Sequence, residues 1–391
     1  MNRRSLRLLA LVLLLALAAF APPAPAEDNG PIVQTTVRGV LEKGGLELAL
    51  TCDEFAALGF GRSDLVVVTV GGAVYEMPVV ADVRYVSAKE KCIVMPKKSG
   101  SRHIRLTRRG GGLAKALGIA TKTKTEEAPG YRWDFTEDYQ GEITVGIAMK
   151  QAKALETDFA LRNLKVNKKR KAFPDLTDAE FANFRNVATT GMGKNALYRS
   201  SSPVGSSLKR NKQADAAARE AGVRTVLNLS ENAKHMVGHK NYEDSYYSTL
   251  DIYALEVSEN IDSKSFRKAL VKALRFMIEH EGPYLVHCVL GKDRTGFACA
   301  VLECLMGATA DEVKADYMLS YYNLYGIGPG DALYEPAYEK LLGAQLANAF
   351  KVEDIADPGV DLAACARRYL AAIGLEGGEI AALQGRLAVD Y

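Results

Sequence analysis

The run His287-Cys288-Val289-Leu290-Gly291-Lys292-Asp293-Arg294-Thr295-Gly296 brings a thiol, two cations, a carboxylate, a hydroxyl and two glycines into one short segment. An apolar stretch, Tyr284 to His287, leads in after the Gly282-Pro283 break, and a helical pattern from Thr295 to Met306 leads out. The carboxyl end of a strand that opens a helix is where open α/β sheets bind ligands. Backbone N–H groups and the helix dipole favour an anion there, and the size of the loop suits a phosphate. Sulfur at such a position is favoured as the thiolate. Its attack on phosphorus would give a covalent phosphocysteine and divide hydrolysis into two steps. Arg294 can hold two phosphoryl oxygens with its planar fork, which stabilises their charge without a metal or other cofactor. In this reading Val289, Leu290, Gly291, Lys292, Asp293 and Arg294 form the phosphate cradle, and the Thr295 hydroxyl assists the departing sulfur. A buried structural cysteine beside an incidental arginine would not require this whole set of residue types in one register.

A proton must reach the leaving oxygen, so a positioned carboxylic acid is expected. Asp293 in the loop ranks first and Asp251, in Leu250-Asp251-Ile252, second. Glu256 trails them, and Asp175 in Phe173-Pro174-Asp175 reads as a turn entering a helix. Lys292 either raises the potential for any phosphomonoester or attracts highly charged phosphates. Tyr246, Tyr247, Tyr321, Tyr322 and Tyr325 could rim the site, although their helical spacing favours core packing. His287 orients the loop. His103, His235, His239 and His280 lack metal-ligand spacing and read as surface residues.

The elements around this segment alternate. Thr177 opens a helix that runs through Phe184, Lys212 to Ala221 is a helix closed by Gly222, and Val223 to Leu229 is a buried strand. Ser263 to Glu279 places Phe266, Leu270, Ala273, Leu274 and Met277 on one helical face. Strand and helix in alternation predict a parallel central sheet with helices on both faces. This α/β domain is expected over residues 136–391. Residues 31–119 read instead as a small β-rich domain, with strands at Ile32–Val40, Leu65–Val70, Ala73–Val80, Val83–Val86, Cys92–Met95 and Ile104–Thr107. Gly71-Gly72 marks a hairpin turn in it. The polar residues 120–135 read as a linker.

The N-terminus has the form of a secretory leader. Arg3, Arg4 and Arg7 precede the apolar run Leu8 to Phe20, and Ala24-Pro25-Ala26 is an A-x-A site, so residues 1–26 are expected to be a signal peptide cleaved near Ala26. That run is short for a membrane span, and none is evident elsewhere, so no stable span is expected after cleavage. The net charge of +3 over 391 residues gives no footing for nucleic acid. The cluster Lys168-Lys169-Arg170-Lys171 reads as a solvated turn. Cys52, Cys92, Cys288, Cys299, Cys304 and Cys365 show no metal pattern. Cys52 and Cys92 could pair.

With its His-Cys-x5-Arg-Thr signature the segment resembles the protein-tyrosine-phosphatase superfamily. The fuller string His287-Cys288 through Gly291-Lys292-Asp293-Arg294-Thr295-Gly296 is similar to the bacterial tyrosine/dual-specificity branch with an H-C-x-x-G-K-D-R-T-G loop. The similarity runs over residues 175–390. It includes Asn183-Phe184-Arg185-Asn186, Leu197-Tyr198-Arg199-Ser200-Ser201, Gly222 to Leu229, and Asp316-Tyr317-Met318-Leu319-Ser320. The resemblance implies a cysteine-phosphatase fold in which Cys288 forms the phosphoenzyme and Arg294 binds phosphate. It also implies that Asp293 can serve as acid where no separate acid loop exists, and places Asp251 where other members carry a mobile one. Leu229-Ser230-Glu231 departs from the family's Leu-Arg-Ser, so that contact is missing or supplied from elsewhere. The expected activity is hydrolysis of phosphotyrosine, with possible dual specificity, by an exported phosphoric monoester hydrolase. The expected partner is a phosphorylated protein or peptide, or an inositol phosphate. The alternatives are an inositol polyphosphate or phosphoinositide phosphatase and a non-catalytic phosphate-binding module. Intact Cys288, Arg294 and Thr295 weigh against the last, since binding alone needs no thiolate.

Overall fold

The computed structural model describes residues 31–97, 102–126, 130–258 and 260–391, so the leader expected at 1–26 lies outside the described residues. The chain divides into two compact units, Met1–Arg162 and Asn163–Tyr391.

The first unit is built on strands β1 (Ile32–Val40), β2 (Leu46–Thr51), β3 (Leu65–Val70), β4 (Ala73–Val80), β5 (Lys91–Val94), β6 (His103–Arg108), β7 (Ala120–Lys124), β8 (Tyr131–Phe135) and β9 (Thr144–Gln151). Seven of them close a barrel in the order β1-β2-β6-β5-β4-β3-β9. Alternation along β3 sends Val66, Val68 and Val70 inward, where they meet Leu46, Leu48, Ile104, Leu106, Val145 and Ile147. Gly71 and Gly72 both have positive φ, the conformation that a two-residue hairpin between β3 and β4 requires.

Two expectations need correction here. Residues 120–135 are not a linker: β7 and β8 pair antiparallel, and Trp133 packs against the barrel core while its Nε1 donates to the Glu42 carbonyl at 3.2 Å. Residues 144–151, expected in the following domain, supply β9, which closes the barrel between β1 and β3. The boundary therefore falls after Arg162 rather than near 119–136. A polar, solvent-facing hairpin has the composition of a linker, and a closing strand declares itself only through its partners. Val83–Tyr85 is a short 3-10 turn capped by Asp82 rather than a strand. Cys92 is a buried thiol not bonded to Cys52, and burial pushes it up to about 12.

The second unit holds β10 (Arg185–Asn186), β11 (Leu197–Ser200), β12 (Thr225–Asn228), β13 (Asp251–Ala254) and β14 (Tyr284–His287) in the order β10-β11-β14-β12-β13. Only β10 runs antiparallel to its neighbour; β14 lies between β11 and β12, parallel to both. Helices α1 (Asp178–Phe181), α2 (Asn211–Glu220), α3 (Lys264–Glu279), α4 (Asp293–Met306), α5 (Ala310–Tyr325), α6 (Leu362–Ile373) and α7 (Gly377–Leu387) complete the α/β fold on both faces. The expected apolar face of α3 is buried, with Ser263 as its N-cap. α1 has a Thr177–Glu180 capping box but stops at Phe181, short of the expected Phe184, because Asn183 adopts a left-handed φ of 56°. α4 is buried along nearly its whole length and runs directly from the Cys288 segment.

Candidate active site

β14 ends at His287, and the chain turns through Cys288 to Lys292 before α4 begins at Asp293. Cys288 is only 3 % exposed. The carbonyls of this turn are tied to its surroundings. Ser202 N donates to Val289 O at 3.2 Å, Asn183 Nδ2 to Leu290 O at 3.0 Å and Gly291 O at 3.2 Å, and Arg199 Nη2 to Gly291 O at 3.0 Å. Among the described residues no acceptor meets the backbone N–H groups of Val289, Leu290, Gly291 or Lys292. Uncommitted N–H groups at the head of a buried helix are the kind of donors that can receive an anion. Gly291 is required for the turn: its φ is +68°, and a Cβ would lie 2.0 Å from Ser200 O.

Charged groups beneath the turn hold it in place. Asp316 on α5 accepts from Arg185 Nε at 2.7 Å and is also ion-paired with the fully buried Arg199. Arg185 adds Ser320 Oγ at 3.1 Å and Asn183 Oδ1 at 2.7 Å. Burial acts to raise the Asp316 carboxyl, but the two guanidinium groups outweigh it and hold it below its ordinary range. Glu303 on α4 has no such partner. Burial, then the Asp316 charge, raise it well above the usual carboxylate range, so it is held as the neutral acid.

Arg294 is nearly buried, and its Nη1 donates at 3.1 Å to Val257 O in the segment after β13. Lys292 lies 3.3 Å from Asp293 Oδ1 and 3.3 Å from the Tyr321 hydroxyl, with its ammonium over the Tyr321 and Tyr325 rings. Burial penalises that cation, yet Asp293 and the tyrosines more than compensate and leave it raised. Asp293 itself is solvent-exposed, and Thr295 is fully buried with no hydrogen-bond partner for its hydroxyl among the described residues. His287 places Nε2 2.7 Å from the Tyr247 hydroxyl and Nδ1 3.3 Å from Cys288 O. Burial lowers its pKa to about 4, against a smaller opposing effect of the Cys288 carbonyl, so the ring is neutral. The arrangement can seat a phosphate-sized anion against a thiol with one guanidinium at its side.

Residues 176–388 match the model of the tyrosine phosphatase family, and they contain this whole site. The chain belongs to the tyrosine phosphatase family. Membership makes it a cysteine-type phosphatase. No curated protein matches the chain. Among solved structures, the chain is similar to the core catalytic domain of the PP-IP phosphatase SIW14 from S. cerevisiae, in complex with citrate, at 20 % identity over 43 % of this chain and 91 % of that one, TM-score 0.27. It is similar to TpbA of P. aeruginosa in complex with pTyr at 14 % identity over 51 % and 94 %, TM-score 0.27. With an uncharacterized conserved protein from Thermotoga maritima it shares 16 % identity over 33 % of this chain and spans 40 % of that protein, TM-score 0.23.

Within this family site the sequence-named residues fare differently. Cys288, Val289, Leu290, Gly291, Lys292, Asp293, Arg294 and Thr295 lie together on one turn and the first turn of α4. Asp251 does not join them. It is the first residue of β13, level with Thr225 and hence with Tyr284, so it sits at the opposite end of the sheet from Cys288. That is a shortfall of roughly 10 Å along the strand direction. Its position in sequence suggested an acid loop, but the register puts the segment after β13, with Glu256 and Val257, at the site instead. Asp175 is an exposed turn residue before α1. Tyr247 and Tyr321 are core residues, as the spacing suggested, and both touch the loop through His287 and Lys292.

Several residues that shape the site had no assigned role in the sequence reading. Asn183, Arg185, Arg199, Asp316 and Ser320 appeared there only within family-like strings. Arg199 inside the apolar Leu197–Ser200 strand was the available signal, since a buried charge needs a partner. His235 is a surface residue as expected, its Nδ1 3.9 Å from Glu256 Oε2, whereas His239 is half-buried with its Nε2 2.7 Å from Glu231 Oε2.

Proposed function

We propose that this phosphatase hydrolyses phosphotyrosine in proteins or peptides, with Cys288 as nucleophile and Arg294 as the phosphate clamp. The observation that carries this reading is the turn from Val289 to Lys292, whose carbonyls are bound from outside and whose N–H groups are uncommitted beside Cys288. The thiolate attacks phosphorus as the ester oxygen departs. Arg294 exchanges its Val257 contact for phosphoryl oxygens, and the buried Thr295 hydroxyl is available to the sulfur when the phosphocysteine is hydrolysed. Asp293 is the acid for the leaving oxygen, because it is the carboxylate carried on the loop itself. Lys292 is engaged by Asp293, Tyr321 and Tyr325, which leaves Arg294 as the loop cation available to a substrate. One available cation suits a single phosphomonoester better than a polyphosphorylated ring. The leader at residues 1–26 directs export in this reading, with cleavage near Ala26.

The test assays the mature protein on p-nitrophenyl phosphate, a phosphotyrosine peptide and inositol hexakisphosphate, beside Cys288→Ser. Turnover of the first two that vanishes in the variant is expected. Preference for inositol hexakisphosphate overturns the substrate, and activity that survives in the variant overturns the nucleophile.

A further inference from the structure

We propose that the Glu231–His239 pair is the base that activates water in the second half of the reaction, a role that rests on the phosphocysteine reading above. The placement follows from the sheet. β14 lies between β11 and β12. On the β12 side Asn228 is level with His287, and Leu229 N donates to His287 O at 2.8 Å, so the chain continuing to Ser230 and Glu231 leaves β12 at the end of the sheet where β14 gives way to Cys288. On the β11 side Ser200 is level with His287, and Ser202 N reaches Val289 O. His239 meets both flanks. Its Nε2 is 2.7 Å from Glu231 Oε2, and its Cε1 lies 3.9 Å from where a Cβ on Gly205 would stand, in the turn that Ser202 Oγ holds by accepting from Gly205 N at 2.9 Å. The imidazole thus joins the two segments that leave β11 and β12 at the end of the sheet from which Cys288 and Val289 emerge.

Chemistry follows from the partner. The Glu231 carboxylate can only accept, so Nε2 carries the hydrogen, and in the neutral ring Nδ1 is the nitrogen with the lone pair. Among the described residues nothing bonds to Nδ1. The Glu231 side chain is 16 % exposed and that of His239 30 %, which orders the ring while leaving it open to water. A carboxylate that fixes the tautomer of an adjacent imidazole is the arrangement of an oriented general base. In the second half-reaction a water oxygen attacks phosphorus and the P–S bond breaks, its electron pair returning to Cys288 as thiolate. One proton of that water passes to His239 Nδ1, directly or through one further water, and then to solvent, while inorganic phosphate leaves. Asp293 donates in the first half-reaction and regains its proton from solvent.

The two halves separate in stopped-flow assays with p-nitrophenyl phosphate. In His239→Gln a burst of p-nitrophenol approaching one per active site is expected, followed by steady turnover slower by roughly a hundredfold. Acid quenching then recovers phosphate on Cys288, and kcat becomes insensitive to the leaving group. Glu231→Gln gives the same signature with a smaller loss. Unchanged kcat in His239→Gln overturns the proposal, and so does a burst rate that falls in parallel with steady turnover, the mark of a merely structural role. Turnover by Cys288→Ser, or quenched enzyme with no phosphate on Cys288, identifies failure of the phosphocysteine reading instead and removes this role with it.

Discussion

His287 stands one residue before Cys288 with both ring nitrogens engaged. The Cys288 carbonyl can only accept, so Nδ1 carries the hydrogen and the Tyr247 hydroxyl donates to Nε2. A neutral imidazole buried this way fixes the direction from which the chain enters the turn, and it has a consequence for stability. Its folded pKa of about 4 lies below the ordinary 6.5. Below pH 6.5 the unfolded chain binds a proton that the native state refuses until about pH 4, so the contribution of this residue falls as pH drops through that window. Across the whole window the loss amounts to about 3 kcal/mol. Urea unfolding at pH 7 and pH 5 is expected to show a smaller decline in His287→Asn than in the parent. Equal declines would remove His287 as the source.

At the scale of elements, α5 supports the Cys288 turn through one carboxylate. Asp316 neutralises Arg185 and Arg199, and these in turn bind Asn183, Ser320 and the Gly291 carbonyl. Asp316→Asn leaves two guanidinium groups, one fully and one largely buried, without their anion, and a loss of about 3–5 kcal/mol is expected. Glu303 lies close in the same interior but is already neutral, so Glu303→Gln exchanges one uncharged group for another and should cost less than about 1.5 kcal/mol. Urea midpoints of the two variants check the contrast. Comparable losses would mean that Glu303 is ionised. The family-like strings around Asn183, Arg199 and Asp316 are far apart in sequence, and this network is what brings them to a single function.

At the scale of the whole molecule, the barrel and the phosphatase unit each have their own interior. In the second unit Val226 and Leu285 of the sheet pack with Ala214, Ala217 and Ala218 of α2. The fragment 163–391 is therefore expected to fold and to keep kcat/KM on p-nitrophenyl phosphate within about threefold of the longer chain, since the site takes every residue from that unit. A fragment cut at 136, the boundary read from composition, would carry β9 away from the barrel, and the remaining strands should fail to close. Circular dichroism and thermal unfolding of the two N-terminal pieces measure that difference. The sequence by itself determined what lies within one turn of chain. Cys288, Arg294 and the strand and helix on either side were legible because a strand end, a glycine turn and a helix start are local events, set by φ, ψ and side-chain pattern over a few residues. Only the tertiary structure decided which distant groups share that locality. Parallel register removed Asp251 from the site, pairing of β7 with β8 and closure of the barrel by β9 claimed segments that composition assigned elsewhere, and the position of β14 between β11 and β12 brought Ser202 and Leu229 beside the Cys288 turn. The reason is physical: hydrogen-bonded register and the pairing of buried charges depend on where separate segments meet, and no local pattern in the chain encodes that distance.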